Sequence, residues 1–242
     1  MKVLELWRYP VKSFQGERLQ SAHIGKDGLQ GDRRFAIFDL QTGFGLTARR
    51  APELLFASAV LTEDGGVEIT LPDGSQANDN DALSAWLGRP VALKRADTDG
   101  DRLYENPEDF EHEQTSHWEP FEGAPGPFHD SARTRVSLVS TETLKQWDRR
   151  RFRSNVLLEG GGEDELVGST ITLGEATLTV GQYIERSVMV TRAQADGIER
   201  DLDVLRTIAK ERQNRLAIGA LVSEPGIVRV GDALNALAAP PR

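Results

Sequence analysis

Cysteine is absent from all 242 residues. That gap excludes disulfides, thiol redox chemistry, iron–sulfur ligation and cysteine-type zinc sites together. Also missing is any apolar run approaching a membrane span, and Met1-Lys2 leads straight into alternating residues without the apolar core of a secretory signal. The expectation is a cytoplasmic protein with no membrane partner. Positive charge is in deficit: 29 Lys and Arg stand against 38 Asp and Glu, for a net charge of −9. A general nucleic-acid binder is disfavoured on that ground, whereas a local basic pocket is not. No internal repeat is visible. The rest is ordinary for a soluble globular chain, with 38% hydrophobic and 28% charged residues and length for one large domain or two modest ones.

The first half reads as short strands and turns. Val3, Leu4, Leu6 and Trp7 open a strand closed by Tyr9-Pro10, and Lys12, Ser13 and Gly16 follow in a short loop. Gly28, Gly31 and Asp32 mark a turn before the alternating Phe35, Ile37 and Phe38. Residues 46–50 read as a further short strand, on which Arg49 and Arg50 would face opposite ways. Residues 55–61 and 67–71 flank Asp64-Gly65-Gly66, a hairpin signal. Residues 79–88 read as a helix with Leu83, Trp86 and Leu87 inward and Gly88 at its C-terminal end. Residues 97–119 are the most polar segment; lacking an apolar period, they are expected to form a solvated loop dispensable for folding. Within them His112-Glu113 and His117 invite a zinc-protease reading. The spacing is H-E-x-x-x-H, which on a helix turns the second ring away from the first, so that reading is set aside.

In the second half, Val136, Leu138 and Val139 indicate a strand, and Ser140-Thr141 the start of a helix through Leu144 and Trp147. Arg149, Arg150, Arg151 and Arg153 then crowd together, a pattern that usually suggests nucleic acid; the overall acidity and the lack of further basic runs oppose it. Only alternate residues of the run can face one pocket, and Arg149 and Arg151 are assigned to acidic neighbours or solvent. Gly160-Gly161-Gly162 lacks the Lys-Ser/Thr of a phosphate loop. Residues 170–173 and 176–180 form a hairpin around Gly174-Glu175, and residues 217–222 and 227–230 are expected to pair around Glu224-Pro225-Gly226. Residues 238–242 are a tail. The organising stretch is 186–210: a strand with Val188, Val190 and Thr191, a turn at Asp196-Gly197, Asp201 as N-cap, and a helix with Leu202, Leu205, Ile208 and Ala209. Such a unit delivers the Ser187 and Thr191 hydroxyls to a loop mouth.

Several stretches carry a family resemblance: YPVKSFQGE, GLQGDRRF and LTARRAPEL in the first half, R-F-R-x-N at residues 151–155, R-S-x-M-x-T at residues 186–191, and EPGIVRVGD near the end. The chain resembles MOSC domain proteins, the family of molybdenum-cofactor sulfurase C-terminal regions, in the larger form that carries an N-terminal β-barrel. The resemblance implies a mainly β fold with some α: an N-terminal β-barrel over residues 1–95 and a MOSC β-barrel with short helices over 96–242. In the relatives, the Lys-Ser pair and the arginine of the G-D-R turn contact the pterin dithiolene and its phosphate; the matching residues are Lys12, Ser13 and Arg33. Arg153 and Asn155 match cofactor-phosphate and pterin contacts, and Thr191 joins the set. Asp130 stands where the family has an acidic residue without an assigned role. In members related to the amidoxime-reducing component, a cysteine at the Ser187 position gives molybdenum its protein ligand. Ser187 is therefore the implied metal ligand and catalytic residue, as an alkoxide: oxygen is a harder donor than thiolate, and a highly charged metal lowers the hydroxyl pKa.

Three readings follow. The first is a molybdenum-cofactor oxidoreductase similar to the family's reducers of N-hydroxylated compounds, with a small-molecule substrate and a redox electron-donor protein as partners. The second is a non-catalytic binder or carrier of the intact cofactor; a persulfide sulfur carrier needs a cysteine and is excluded. The third is a module that keeps the fold and binds another anion or a protein partner, and pyridoxal phosphate binding is a further expectation attached to the resemblance. Neither nucleic acid nor membrane is expected as a partner.

Overall fold

The computed structural model describes residues 1–98, 102–110, 112–113 and 115–237. Its largest element is an eight-stranded sheet. The strand order is Leu234–Ala236, Thr170–Leu173, Ala176–Glu185, Arg215–Glu224, Val136–Ser140, Val156–Glu159, Lys2–Arg8 and Glu17–Leu19. Only Val136–Ser140 and Val156–Glu159 run parallel; the other pairs are antiparallel. The sheet curls into a half-barrel and the chain is mainly β with few helices. Alternation supplies the reason: Val136 and Leu138, Ile171 and Leu173, and Leu178 and Val180 all send side chains into one apolar core, which Val3 and Leu6 join across an irregularity in register between Val3 and Glu5. A second core packs Val11, Phe14, Ile37, Leu54, Ile69 and Leu83. The hairpin Ser58–Leu61 with Val67–Thr70, the strand pair Phe35–Asp39 with Val91–Arg95 and the helix Asn80–Leu87 surround it. That helix begins at Asp79, whose side chain accepts from the Ala82 N–H, and ends at Gly88 in the left-handed conformation (φ 64°).

Pairing crosses the sequence divide at residue 95. Lys2–Arg8 hydrogen-bonds Val156–Glu159, and Ser21–Gly25 pairs with Gly226–Arg229. The expected pairing of residues 217–222 with 227–230 is corrected by the same fact. Arg215–Glu224 has both edges filled, by Val136–Ser140 and Ala176–Glu185, so the chain after Pro225 must seek another partner.

Four further expectations are corrected. Residues 46–50 are not a strand: the Arg50 and Ala51 N–H groups both bond the Thr47 carbonyl, closing a turn. The helix after Ser140 spans only Thr141–Leu144 and stops before Trp147 at Lys145, which adopts φ 53°. Val188–Thr191 is a single 3-10 turn rather than a strand. The strand before it ends where its neighbour ends, at the Glu185–Arg215 pair, and Val190 is then drawn into the core with Val204 and Ile208. Lastly, the polar segment 97–119 is no simple solvated loop, because Leu103–Pro107 pairs with Trp118–Glu122 and Tyr104 is buried beside Phe38. The turn at Asp196-Gly197 is present, both residues having positive φ, and the helix Asp203–Arg212 follows with the Asp201 carboxylate accepting from the Asp203 N–H. The tail at 238–242 lies outside the described residues.

Candidate functional site

Lys12 and Ser13 enter from the loop that follows the first strand. The Lys12 N–H bonds the Phe35 carbonyl at 2.8 Å, and Ser13 takes a left-handed φ of 71°. That conformation turns its hydroxyl to accept from the Ala48 N–H at 2.9 Å, stitching the loop to the turn that carries Arg49. The Lys12 amine, buried, donates to the Phe128 carbonyl at 3.0 Å and to the Asp130 carboxylate. Lys12 is the main reason that the Asp130 carboxyl is held far below the usual range.

Arg33 arrives from the G-D-R turn, also left-handed at φ 50°. Asp32 is the hub beneath it. One carboxylate oxygen accepts from the Tyr9 N–H at 2.7 Å; the other accepts from Arg33 Nη1 at 2.5 Å and Asn155 Nδ2 at 3.1 Å. Burial opposes the Arg33 charge, but Asp32 and the surrounding groups outweigh it and keep the guanidinium pKa above its ordinary value. Arg33 Nη2 reaches on to the Arg153 carbonyl at 3.0 Å, and both guanidinium groups lie over the Tyr9 ring, at 4.6 and 5.1 Å.

The arginine run separates its members by local geometry rather than by strand alternation. Residues Arg149–Arg151 form one 3-10 turn started by Asp148. Arg149 pairs with Glu5 at 2.8 Å and covers Trp7, while Arg150 pairs with Asp148 and Asp196. Arg151 lines the cleft, but its guanidinium is used on the carbonyls of Val190, Arg192 and Glu199. Arg153, at φ 53°, is turned the other way, and its guanidinium has no hydrogen-bond or ion-pair partner among the described residues. Burial, reinforced by Arg33, lowers its pKa to about 10.

Asn155 is placed at the cleft wall with its side-chain amide already engaged by protein groups. Its Oδ1 accepts from the Ser137 N–H and hydroxyl, and its Nδ2 donates to the Trp7 carbonyl and Asp32. A side-chain amide so fully used is structural; it ties the first strand to the sheet and steadies Asp32. Thr191 is set back from the cleft. It is buried, donates to the Val188 carbonyl at 2.7 Å, and does not line the cleft. Ser187 does line it, from extended backbone at the start of the 3-10 turn, and its hydroxyl has no hydrogen-bond partner among the described residues.

Lys12, Ser13, Arg33, Arg153, Asn155 and Ser187 thus border one cleft of about 810 Å³. Nine of its lining residues are Lys or Arg and only two, Asp130 and Glu185, are acidic, in a chain whose net charge is −9. Of the two arginines left in doubt by the sequence, Arg49 borders the cleft, while Arg50 pairs with Glu105 and covers Trp118. Arg49 is itself engaged by Glu113, which also binds Arg192, so the glutamate of the H-E pair serves an ion-pair cluster while His112 pairs with Asp109.

Sequence reasoning passed over three further donors at the wall. Arg186 is fixed by the carbonyls of Leu216 and Phe152, yet its Nη2 is buried without a hydrogen-bond partner among the described residues, and burial lowers its pKa to about 10. Arg135 Nη1 and Gln194 Nε2 are likewise buried and unpaired at the same cleft. Buried donors left unpaired cost stability unless a ligand or solvent answers them. Arg186 was detectable, being the residue before Ser187; nothing in the pattern marked Arg135 or Gln194.

His129 completes the wall as a neutral ring. Burial lowers its pKa to about 4 and its Nε2 lies 3.2 Å from the Asp27 carbonyl. The unfolded chain takes up this proton near pH 6.5 and the folded protein only near 4, so stability is full above 6.5 and falls as pH drops toward 4. The expected loss is about 3 kcal/mol across that window. Urea unfolding at pH 7 and pH 4.5 checks it, with His129→Gln expected to flatten the slope; an unchanged slope would contradict the assignment.

The cleft is β-walled and rich in buried, partly unpaired cations, a charge pattern complementary to an anion. Comparison with known families places the chain further: residues 1–110 match the MOSC N-terminal beta barrel domain and residues 125–235 the MOSC domain. The chain belongs to the MOSC family, whose domains are associated with molybdenum-cofactor binding. Among solved structures it is similar to the YUAD protein from Bacillus subtilis, at 13% identity, 96% of this chain and 93% of that one, with a TM-score of 0.45. It is also similar to YiiM from Geobacillus stearothermophilus, at 15% identity, 57% and 73% coverage and a TM-score of 0.37. A search of curated proteins gives no match.

Proposed function

We propose that the cleft binds the molybdenum cofactor and that the protein is a molybdenum-dependent oxidoreductase acting on a small molecule with electrons from a partner protein. The observation that carries the reading is the set of unanswered donors: the Arg153 guanidinium, Arg186 Nη2 and the Ser187 hydroxyl border one cleft without hydrogen-bond or ion-pair partners among the described residues. A phosphate-bearing pterin fits that set. Arg153 and Arg33, with Lys12, supply charge for the phosphate. Ser187 supplies the oxygen for the metal. No group of three or more His, Cys, Asp or Glu side chains suited to a bare metal ion occurs among the described residues.

When bound, the group supplies oxygen-atom transfer at a metal that cycles between two oxidation states. The chain's own part is to bind and to orient. Asp32 aims Arg33, the Tyr9 ring supports Arg33 and Arg153, and the carbonyls of Leu216 and Phe152 fix Arg186 next to Ser187. The competing reading is a carrier of the intact cofactor, which needs the same binding residues but no turnover. Pyridoxal phosphate as the occupant would meet Lys12, the one lysine lining the cleft among the described residues. The test is the molybdenum and pterin content of protein purified from a host that makes the cofactor. Both are expected in near-stoichiometric amount; a folded protein holding neither would overturn the reading.

A further inference from the structure

Asp130 is the one carboxylate set among the cations of the cleft's inner wall, and its relation to Lys12 is lopsided. The Lys12 side chain is 8% exposed and the Asp130 side chain 94%. The carboxylate therefore projects into the open space of the cleft, and Lys12 is its only hydrogen-bond partner among the described residues. Lys12 cannot withdraw to water. Its amine is held under the Phe128 carbonyl at 3.0 Å, within 5.3 Å of the Tyr104 ring, and needs an anion opposite it. The carboxylate can leave at the cost of one ion pair, because its far side is solvated already. Arg33 and Arg153 also act on it, so it stands where a bound anion would be drawn.

We propose that Asp130 is a specificity-determining counter-ion, which occupies Lys12 until a multiply charged, phosphate-type group takes its place. The proposal rests on the anion-binding reading of the cleft and adds to it a term against weak ligands. A monoanion that replaces Asp130 on Lys12 exchanges one pair for an equal one and gains nothing. A phosphate dianion that does so also reaches the free guanidinium of Arg153, and its second charge more than offsets the lost pair.

The test uses inorganic phosphate and the protein without cofactor, by calorimetric titration of the parent, D130N, K12M and the double variant. D130N is expected to bind phosphate about tenfold more tightly than the parent. In the K12M background the same substitution is expected to gain far less, because the contested amine is gone. D130E, which keeps a carboxylate near the amine, is expected to stay close to the parent. Unchanged or weaker phosphate binding in folded D130N would overturn the proposal, as would an equal gain with and without Lys12, which would mark a general charge effect. Should D130N fail to fold, D130S carries the same expectation. Molybdenum content plays no part in this readout, so a protein that fails the cofactor test can still pass or fail here.

Discussion

Asp32→Ala is expected to lower the free energy of unfolding by about 3–5 kcal/mol, the range for removing one partner of a buried charge pair. The Asp32 side chain is 0% exposed, and its two oxygens answer three donors: the Tyr9 N–H, Arg33 Nη1 and Asn155 Nδ2. Alanine takes an acceptor from all three and leaves Arg33 charged beside Arg153 without its ion-pair partner. Because Asn155 also bonds Ser137 and the Trp7 carbonyl, the damage spreads to the junction of the first strand with the sheet. Asp32→Asn keeps shape and part of the hydrogen bonding, and should cost less. Chemical denaturation with both variants checks this; a loss below about 1 kcal/mol for alanine, within the reach of surface substitutions, would show that the hub is not structural.

Tyr104→Ala is the second large effect, expected at about 3–5 kcal/mol by the measure of buried aromatic truncations. The ring is 3% exposed and packs 5.9 Å from Phe38 and 5.8 Å from Phe121. Gly45 and Gly123 form its slot: a Cβ on either would meet the ring at 2.3 or 2.8 Å. The hydroxyl is buried without a partner, so Tyr104→Phe should cost little and isolates the packing contribution. Thermal unfolding of the two variants decides the matter. Near-equal midpoints for Ala and the parent would restore the expectation that segment 97–119 is dispensable.

The hairpin through Tyr104 shows why the solvated-loop reading of that segment was not met. Its strands carry LYENP and WEPFE, where apolar residues are too few for a period-2 signal and the flanking acids dominate the composition. One aromatic in a two-glycine slot anchors it, and the glycines belong to other segments. By contrast, Asp64-Gly65-Gly66 and Asp79 to Gly88 were legible because turn and cap chemistry is local. The site divides the same way. Lys12, Ser13, Arg33, Arg153 and Ser187 were marked by motifs and do share one cleft. Motifs could not say that Asn155 is consumed by Ser137 and Asp32, that Thr191 closes its own turn, or that Arg135 and Gln194 face the same cavity. Those facts depend on left-handed residues such as Ser13, Arg33 and Arg153, whose φ no side-chain pattern announces.

The most direct measurement is parallel molybdenum and pterin analysis of the parent, Ser187→Ala and Ser187→Cys from one cofactor-making host. If the Ser187 oxygen is the metal ligand, the parent holds both metal and pterin. The alanine variant then keeps the pterin through Arg33 and Arg153 but loses most of its molybdenum. The cysteine variant holds at least as much metal as the parent, since a soft sulfur suits a site already rich in dithiolene sulfur. Equal metal in the parent and the alanine variant would show that Ser187 is not a ligand. A parent without molybdenum beside a cysteine variant that retains it would contradict the account, leaving a MOSC protein whose cleft has given up its metal.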